Sequence, residues 1–275
     1  MKRLRSWWVW MAAAVVFALP AAAHFQVVLP SADVVTENDN RTVNLDIRFT
    51  HPMEAGPVME MGVPKQFGVL VDGNKHDLAG SLVPTKIDGK AAYRCEYQIS
   101  RPGDYVFYIE PTPYWEPAEE KLIVHYTKVV VDALDAETGW DATVGFPVEI
   151  EPLVRPYGLW TGNVFRGVVK RNGQPVPFAV VEIENYNAEK AMAAPSDPFV
   201  TQVVKADASG TFAYAIPWAG WWGFAALVDG DEKQPSPEGT LVDVELGGLI
   251  WVKAVDPQRR AGGASPEQGA SNAHR

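Results

Sequence analysis

Apolar and polar residues alternate with a period of two along much of the chain. Residues 43–49 alternate strictly, which is typical of a half-buried strand. Residues 67–71 form an apolar run that ends at Asp72-Gly73, a strong hairpin signal. Residues 122–131 are apolar at almost every position, which predicts a strand buried on both faces. Short strands separated by Gly and Pro turns, with almost no helical periodicity, predict an all-β fold.

The strand pattern divides into two units. Residues 24–135 form the first predicted β-domain, and residues 135–141 connect it to the second, residues 144–255. Each unit has enough short strands for one β-sandwich. Residues 256–275 are rich in Pro, Gly, Ala, Ser and Gln, which predicts a disordered tail.

Residues 1–23 have the three parts of a secretory signal peptide. Lys2, Arg3 and Arg5 precede an apolar run at residues 7–19, and small residues follow at 21–23. The alternative is an uncleaved membrane anchor, since the apolar stretch is near the lower length limit for spanning. Cleavage after Ala23 predicts an exported, periplasmic protein whose first residue is His24.

Composition excludes several classes of function. The 275 residues carry 24 Lys and Arg against 34 Asp and Glu, a formal net charge of −10, with no basic block. Nucleic acid, including DNA, is therefore not an expected partner. The single cysteine, Cys95, excludes a disulfide framework and reads as a buried small hydrophobe. The sequence has no nucleophile-elbow, phosphate-loop or HExxH motif, so no catalytic residues are predicted.

Three of the five histidines are candidate metal ligands. An amino-terminal His24 would offer its α-amine and imidazole Nδ1 to the same ion, and His51 and His125 lie on or next to predicted strands of the same domain. Four nitrogen donors suit Ni(II) or Cu(II). The alternative is that His51 and His125 are hydrogen-bonded core residues. The other two, His76 and His274, are expected at the surface.

Sulfur and carboxylate donors follow His51. Met53, Met59 and Met61 would favour Cu(I) as ligands, or would fill gaps in the core as methionines usually do. Glu54 and Glu60 are either partners of the site or ordinary surface residues. A tryptophan cluster, at 218, 221 and 222, suggests packing at the domain interface or a sugar- or peptide-binding surface.

Several multi-residue motifs resemble one family in order. They lie at residues 24–25, 49–52, 56–61, 65–69, 113–119, 124–128 and 155–159. The sequence resembles the exported DUF4198 proteins, called NikK-like and associated with nickel and cobalt uptake. That resemblance implies a periplasmic metal-binding accessory to an energy-coupling-factor type importer.

Fold-level likenesses accompany this resemblance. The first domain is expected to be immunoglobulin-like. Residues 173–179 and 207–212, together with Pro217, resemble carboxypeptidase-regulatory-like or transthyretin-like sandwiches.

The predicted function is therefore capture of Ni(II), or of Co(II) or Cu, by His24, His51 and His125. Delivery would be to the membrane subunits of a nickel/cobalt importer, with no chemical turnover. Two alternatives remain open: a periplasmic copper chaperone, and a copper monooxygenase with an amino-terminal histidine brace. A metal-free structural or glycan-binding module is a third.

Overall fold

The computed structural model describes residues 24–258, which fold into strands, turns and two short 3₁₀ helices. The strands before residue 135 are β1 (Phe25–Pro30), β2 (Val34–Val35), β3 (Thr42–Thr50), β4 (Val58–Met59), β5 (Gln66–Val71), β6 (Asn74–Asp77), β7 (Val83–Ile87), β8 (Lys90–Gln98), β9 (Gly103–Glu110), β10 (Tyr114–Glu116) and β11 (Lys121–Ala133). Those after it are β12 (Val148–Pro152), β13 (Leu159–Trp160), β14 (Val164–Arg171), β15 (Gln174–Pro175), β16 (Val180–Asn185), β17 (Gln202–Lys205), β18 (Thr211–Ala215), β19 (Gly220–Asp229), β20 (Gln234–Pro235) and β21 (Leu241–Val255). The 3₁₀ helices are Ala79–Ser81 and Asp197–Phe199.

One sheet runs through both halves of the chain. Its main path is β17-β16-β19-β21-β11-β9-β5-β6, and short strands pair with its members to give twelve in all. The central pairing is parallel, between β11 and β21, from Lys121↔Asp243 to Val129↔Trp251. The predicted units, residues 24–135 and 144–255, are thus joined by backbone hydrogen bonds in the middle of a sheet.

Two smaller sheets cover the long one and make two sandwiches. A five-stranded sheet, β1-β3-β8-β7 with β4, packs on one part of the long sheet around Phe25, Ile47, Phe107 and Trp251. A four-stranded sheet, β12-β14-β15 with β18, packs on another part around a separate core that contains Phe165, Phe212, Trp222 and Phe224. The all-β prediction with two β-sandwiches is confirmed.

Burial along the strands follows the apolar pattern. Side chains in β3 alternate between buried and more exposed positions, as predicted for residues 43–49. All residues of β11 after Lys121 are buried, as predicted for residues 122–131, because sheets or loops cover both of its faces. The apolar pattern near the end of the chain predicts a strand at residues 249–254, but the observed strand, β21, is longer, because it begins at Leu241 and continues through Gly247 and Gly248.

Two carboxyl groups face each other where the halves meet. Asp104 in β9 lies directly opposite Asp132 in β11, and the two residues are 2% and 3% exposed. Tyr157 Oη donates to Asp104 Oδ2 at 3.3 Å, while Asp104 Oδ1 is buried without a hydrogen-bond partner. Such a pair is unfavourable if both groups are charged.

Some predictions fall outside the described residues. The signal peptide, residues 1–23, and residues 259–275 of the predicted tail are among them. Within residues 24–258 there is no helix long and apolar enough to cross a membrane.

Candidate functional site

The register of two strands brings His24 to His51. β1 pairs antiparallel with β3, with Gln26 opposite Phe49 and Phe25 opposite Thr50. One further step along this register places His24 opposite His51, and their ring centroids are 4.6 Å apart. Neighbouring residues on paired strands are within side-chain reach. The first two candidate ligands are therefore in contact at the edge of the first sandwich.

His125 approaches from the opposing sheet. It lies in β11 and is 2% exposed, with its ring centroid 5.9 Å from that of Phe49. Phe49 in turn stacks on His24, with a centroid separation of 5.7 Å. Phe49 therefore contacts both His24 and His125, and His24 in turn contacts His51.

A glycine makes room for the His125 ring. Gly247 is the residue paired with His125 between β11 and β21. A Cβ at this position would lie 2.4 Å from His125 Cδ2 and 2.9 Å from Nε2. Only the absence of a side chain lets the imidazole lie flat over the neighbouring strand.

Two glutamates determine which ring nitrogens carry protons. His24 Nε2 donates to Glu116 Oε2 at 2.8 Å, and His125 Nε2 donates to Glu245 Oε1 at 3.3 Å. A carboxylate only accepts hydrogen bonds, so in each neutral imidazole Nε2 carries the hydrogen and Nδ1 carries the lone pair. His125 Nδ1 is buried and has no hydrogen-bond partner.

The carboxylates are themselves held in place. Glu116 Oε1 accepts the backbone N–H of Ala118 at 2.9 Å, and Glu245 Oε2 accepts Lys121 Nζ at 2.5 Å. Burial would raise the pKa of Glu245, but its bonds to His125 and Lys121 lower it to about 2. Glu245 is therefore ionised at neutral pH and remains an acceptor.

The pKa of His24 is lowered. Burial is the main cause, because it disfavours the charged imidazolium, and the neighbouring His51 acts in the same direction. The attraction of Glu116 opposes this shift. A neutral imidazole is the form that binds metal ions.

A pocket opens beside these residues. Its volume is about 230 Å³, and Gln26, Met61, Tyr114, Trp115 and His125 are among its lining residues. Met61 is buried, and its sulfur accepts a weak hydrogen bond from Gln26 Nε2 at 3.7 Å. One candidate nitrogen donor, His125, and one thioether, Met61, therefore line the same pocket.

The remaining candidate residues lie either in the core or at the surface. Met59 packs with Phe49 and Ile123 in a small core cluster. Glu54 is exposed, and Glu60 is exposed and accepts the N–H of Ala91. His76 is exposed on β6, and Cys95 is buried, both as predicted.

Among residues 24–258, no group of three or more His, Cys, Asp or Glu side chains has the spacing of a metal site. The three histidines are linked in pairs through ring contacts and are not gathered as one cluster.

Reasoning from the sequence missed three residues of this site: Glu116, Glu245 and Gly247. Glu116 was visible only as part of an aromatic loop motif, Tyr114-Trp115-Glu116-Pro117. Glu245 and Gly247 lie in the part of β21 that the sequence did not predict as a strand. Their parallel pairing with β11 gives no local sequence signal.

A family model described as a domain of unknown function, DUF4198, matches residues 21–230. The chain belongs to the DUF4198 family. The match includes His24, His51, His125 and Glu116, and ends before Glu245 and Gly247 of this DUF4198 protein. No curated protein matches the chain.

Solved structures resemble the DUF4198 protein only distantly. A titin fragment has a TM-score of 0.21 at 10% identity, covering 84% of this chain and 68% of that one. The Yersinia pseudotuberculosis adhesin InvE has a TM-score of 0.24 at 10% identity, covering 81% and 58%. Native Escherichia coli alpha-2-macroglobulin has a TM-score of 0.26 at 12% identity, covering 84% and 14%. These likenesses carry no argument about function.

Proposed function

We propose that this DUF4198 protein is an exported periplasmic carrier that binds one transition-metal ion, Ni(II) or Co(II), through His24, His51 and His125. It passes the ion to the membrane subunits of a nickel/cobalt importer and performs no turnover. The NikK-like resemblance suggests the importer as partner. The imidazole nitrogens of the histidines beside Phe49 support binding of a transition-metal ion.

The observation that carries the proposal is the orientation of two imidazoles. In metalloproteins, a ligating histidine almost always donates its other ring N–H to a carboxylate, a backbone carbonyl or water, which fixes the tautomer. His24 and His125 both have this arrangement, with Glu116 and Glu245 as acceptors. The lone pair of His125 Nδ1 is buried without a hydrogen bond, and a buried polar atom of this kind is costly unless it finds a partner.

Signal-peptide cleavage after Ala23 would add a fourth donor. The α-amine of His24 and its Nδ1 are close enough within one residue to chelate a single ion. Nδ1 is the nitrogen that the hydrogen bond from Nε2 to Glu116 leaves with a lone pair. Four nitrogen donors suit Ni(II), and also Cu(II), better than they suit hard cations.

Copper is the second candidate, and one observation favours it. Met61 lines the same pocket as His125, and thioethers are soft ligands that prefer Cu(I). A copper chaperone would use Met61 together with the imidazoles. A copper monooxygenase would need, in addition, an open coordination position facing a substrate.

The test is a titration of mature protein. The chain is recovered from the periplasm, its first residue is determined by intact mass, and Ni(II), Co(II) and Cu(II) are titrated by calorimetry. Cu(I) affinity is measured by competition with a chromogenic chelator. We expect a first residue of His24 and one bound Ni(II).

Matched variants identify the ligands. His51→Ala and His125→Ala should each weaken Ni(II) binding by at least about tenfold, and so should an alanine added before His24. His76→Ala is the control, because His76 is an exposed histidine of the same domain. Ni(II) binding that survives all three changes would contradict the site. Tight Cu(I) binding that is lost in Met61→Leu, together with weak Ni(II) binding, would favour the copper chaperone.

Binding should weaken as the pH falls. Protons compete with the metal for the imidazoles and the amine. Because burial lowers the pKa of His24, this ligand stays deprotonated at lower pH than an ordinary imidazole. Ni(II) titrations across the mildly acidic range test this, and affinity independent of pH would contradict nitrogen ligation.

A further inference from the structure

The segment after His51 is a tight turn between β3 and β4. Within it, Ala55 N–H donates to Pro52 O at 3.2 Å, and Gly56 N–H donates to His51 O at 3.1 Å. These two bonds close the turn on itself. They leave the N–H and C=O of Met53 to find partners elsewhere, since Met53 lies outside both strands.

Those partners come from the second sandwich. Met53 N–H donates to Glu184 Oε2 at 3.0 Å, and Met53 O accepts Asn187 Nδ2 at 2.9 Å. Asn187 also donates its backbone N–H to Pro52 O at 3.1 Å. Glu184 is 1% exposed and Asn187 is 6% exposed, so these bonds are shielded from water. We call Glu184 and Asn187 the clamp.

Further hydrogen bonds hold the side chains of Glu184 and Asn187 in place. Thr201 Oγ1 donates to the other carboxyl oxygen of Glu184 at 2.5 Å. The side-chain amide of Asn187 also bonds to both backbone groups of Met192, at 2.8 Å and 3.0 Å. Every polar atom of the Asn187 side chain is therefore used, and a fully satisfied buried network fixes one geometry.

We propose that the clamp positions His51, so that the second sandwich completes a metal site whose ligands all belong to the first. Glu184 and Asn187 are positioning residues, because they contact the backbone two residues beyond His51 and not the ion. The functional part of this inference rests on the proposed metal function. The structural part, which concerns the His51 turn, does not.

The matched control is Asn185. It lies two residues before Asn187, is also buried, and donates from Nδ2 to a backbone carbonyl, Trp221 O, at 3.0 Å. Its Nδ2 therefore bonds to Trp221, whereas Nδ2 of Asn187 bonds to the Met53 carbonyl. Asn187→Ala and Asn185→Ala therefore remove the same chemical group from neighbouring positions, and only the first should release the turn.

Two measurements separate the structural and functional parts. In metal-free protein, amide hydrogen exchange at Met53 should become at least about tenfold faster in Asn187→Ala, with altered imidazole ¹⁵N signals for His51. Ni(II) affinity should fall by about tenfold in the same variant. Asn185→Ala should leave Met53 exchange, His51 signals and affinity as in the unaltered protein.

Glu184 supplies a conservative rescue. Burial raises the pKa of Glu184 to about 8, so the group is largely a neutral carboxylic acid at neutral pH. Glu184→Gln can still accept from Met53 and hydrogen-bond to Thr201, and it should retain His51 signals and affinity. Glu184→Leu cannot, and it should behave like Asn187→Ala.

The outcomes are distinguishable. Unchanged Met53 exchange and His51 signals in Asn187→Ala and in Glu184→Leu would overturn the clamp. If the unaltered protein binds no Ni(II), the proposed function fails, while exchange and ¹⁵N signals still decide whether the clamp positions His51. Should Asn187→Ala fail to fold, Asn187→Ser provides the same comparison with a smaller loss of packing.

Discussion

Asp104 should make the stability of this protein depend on pH in an unusual direction. Its carboxyl group is buried directly opposite Asp132, and Oδ1 has no hydrogen-bond partner. Burial is the main cause of a raised pKa, and the charge of Asp132 adds to it. The hydrogen bond from Tyr157 acts in the opposite direction, and the result is a pKa of about 7 against the ordinary 3.8.

The sign and the size of the pH dependence of stability follow from the difference between these two pKa values. Between about pH 4 and about pH 7 the folded protein keeps a proton that the unfolded chain has lost. The free energy of unfolding therefore decreases as the pH rises through this range, and the full penalty is present above about pH 7. At about 1.4 kcal/mol per pH unit, the rise from 3.8 to about 7 corresponds to roughly 4 kcal/mol.

Asp104→Asn removes the titration while keeping the size of the side chain. An amide at this position keeps a hydrogen-bond donor opposite Asp132 without titrating. Urea unfolding at about pH 5 and about pH 8 should show that the unaltered protein loses about 2–3 kcal/mol relative to the variant over this interval. Asp229→Asn, at an exposed position in β19, is the control and should follow the unaltered protein.

Comparing the unaltered protein with Asp104→Asn and Asp229→Asn separates the titration of Asp104 from that of the other ionisable groups. Glu182 and Glu184 also have raised pKa values, of about 7 and about 8, but they are present in all three proteins. If the stability profiles of Asp104→Asn and of the unaltered protein run parallel from about pH 5 to about pH 8, the reasoning from burial and like charge is refuted.

Two further substitutions test the contacts of β11. Gly247→Ala should displace the His125 ring, cost about 1–3 kcal/mol of stability and weaken Ni(II) binding, as urea unfolding and calorimetry would show. Gly248→Ala meets backbone atoms instead, with Glu149 N at 2.7 Å, so equal losses of Ni(II) affinity in both variants would contradict a specific role for Gly247. Lys128→Met should destabilise the protein by about 3–5 kcal/mol, because it leaves the Glu149 carboxylate buried without its cation; a urea midpoint unchanged from the unaltered protein would contradict this.

Local strand patterns could be predicted from the sequence, because burial on one face or both leaves a direct trace in residue order. β3 and β11 are examples, and the turn at Asp72-Gly73 is another. The pairing of β11 with β21 could not be predicted. It joins residues more than a hundred positions apart, and parallel partners need no connecting hairpin whose turn could be recognised.

The histidines could likewise be predicted as candidate ligands from the sequence, whereas their carboxylate partners could not. His24, His51 and His125 attracted attention because histidine is rare in the chain, with 5 among 275 residues. Glu116 and Glu245 belong to 34 acidic residues, and nothing in their local spacing distinguishes them. Their role follows from strand pairing, which places β10 and β21 on either side of β11.

The register of β1 constrains where a chelating amino terminus can begin. Phe25 is fully buried and paired with Thr50, so the residue before it must lie beside His51. Cleavage one residue earlier would turn the His24 nitrogen into an amide and remove the chelate. Cleavage one residue later would remove the imidazole itself. The register thus places beside His51 the residue that the sequence predicts to follow signal-peptide cleavage.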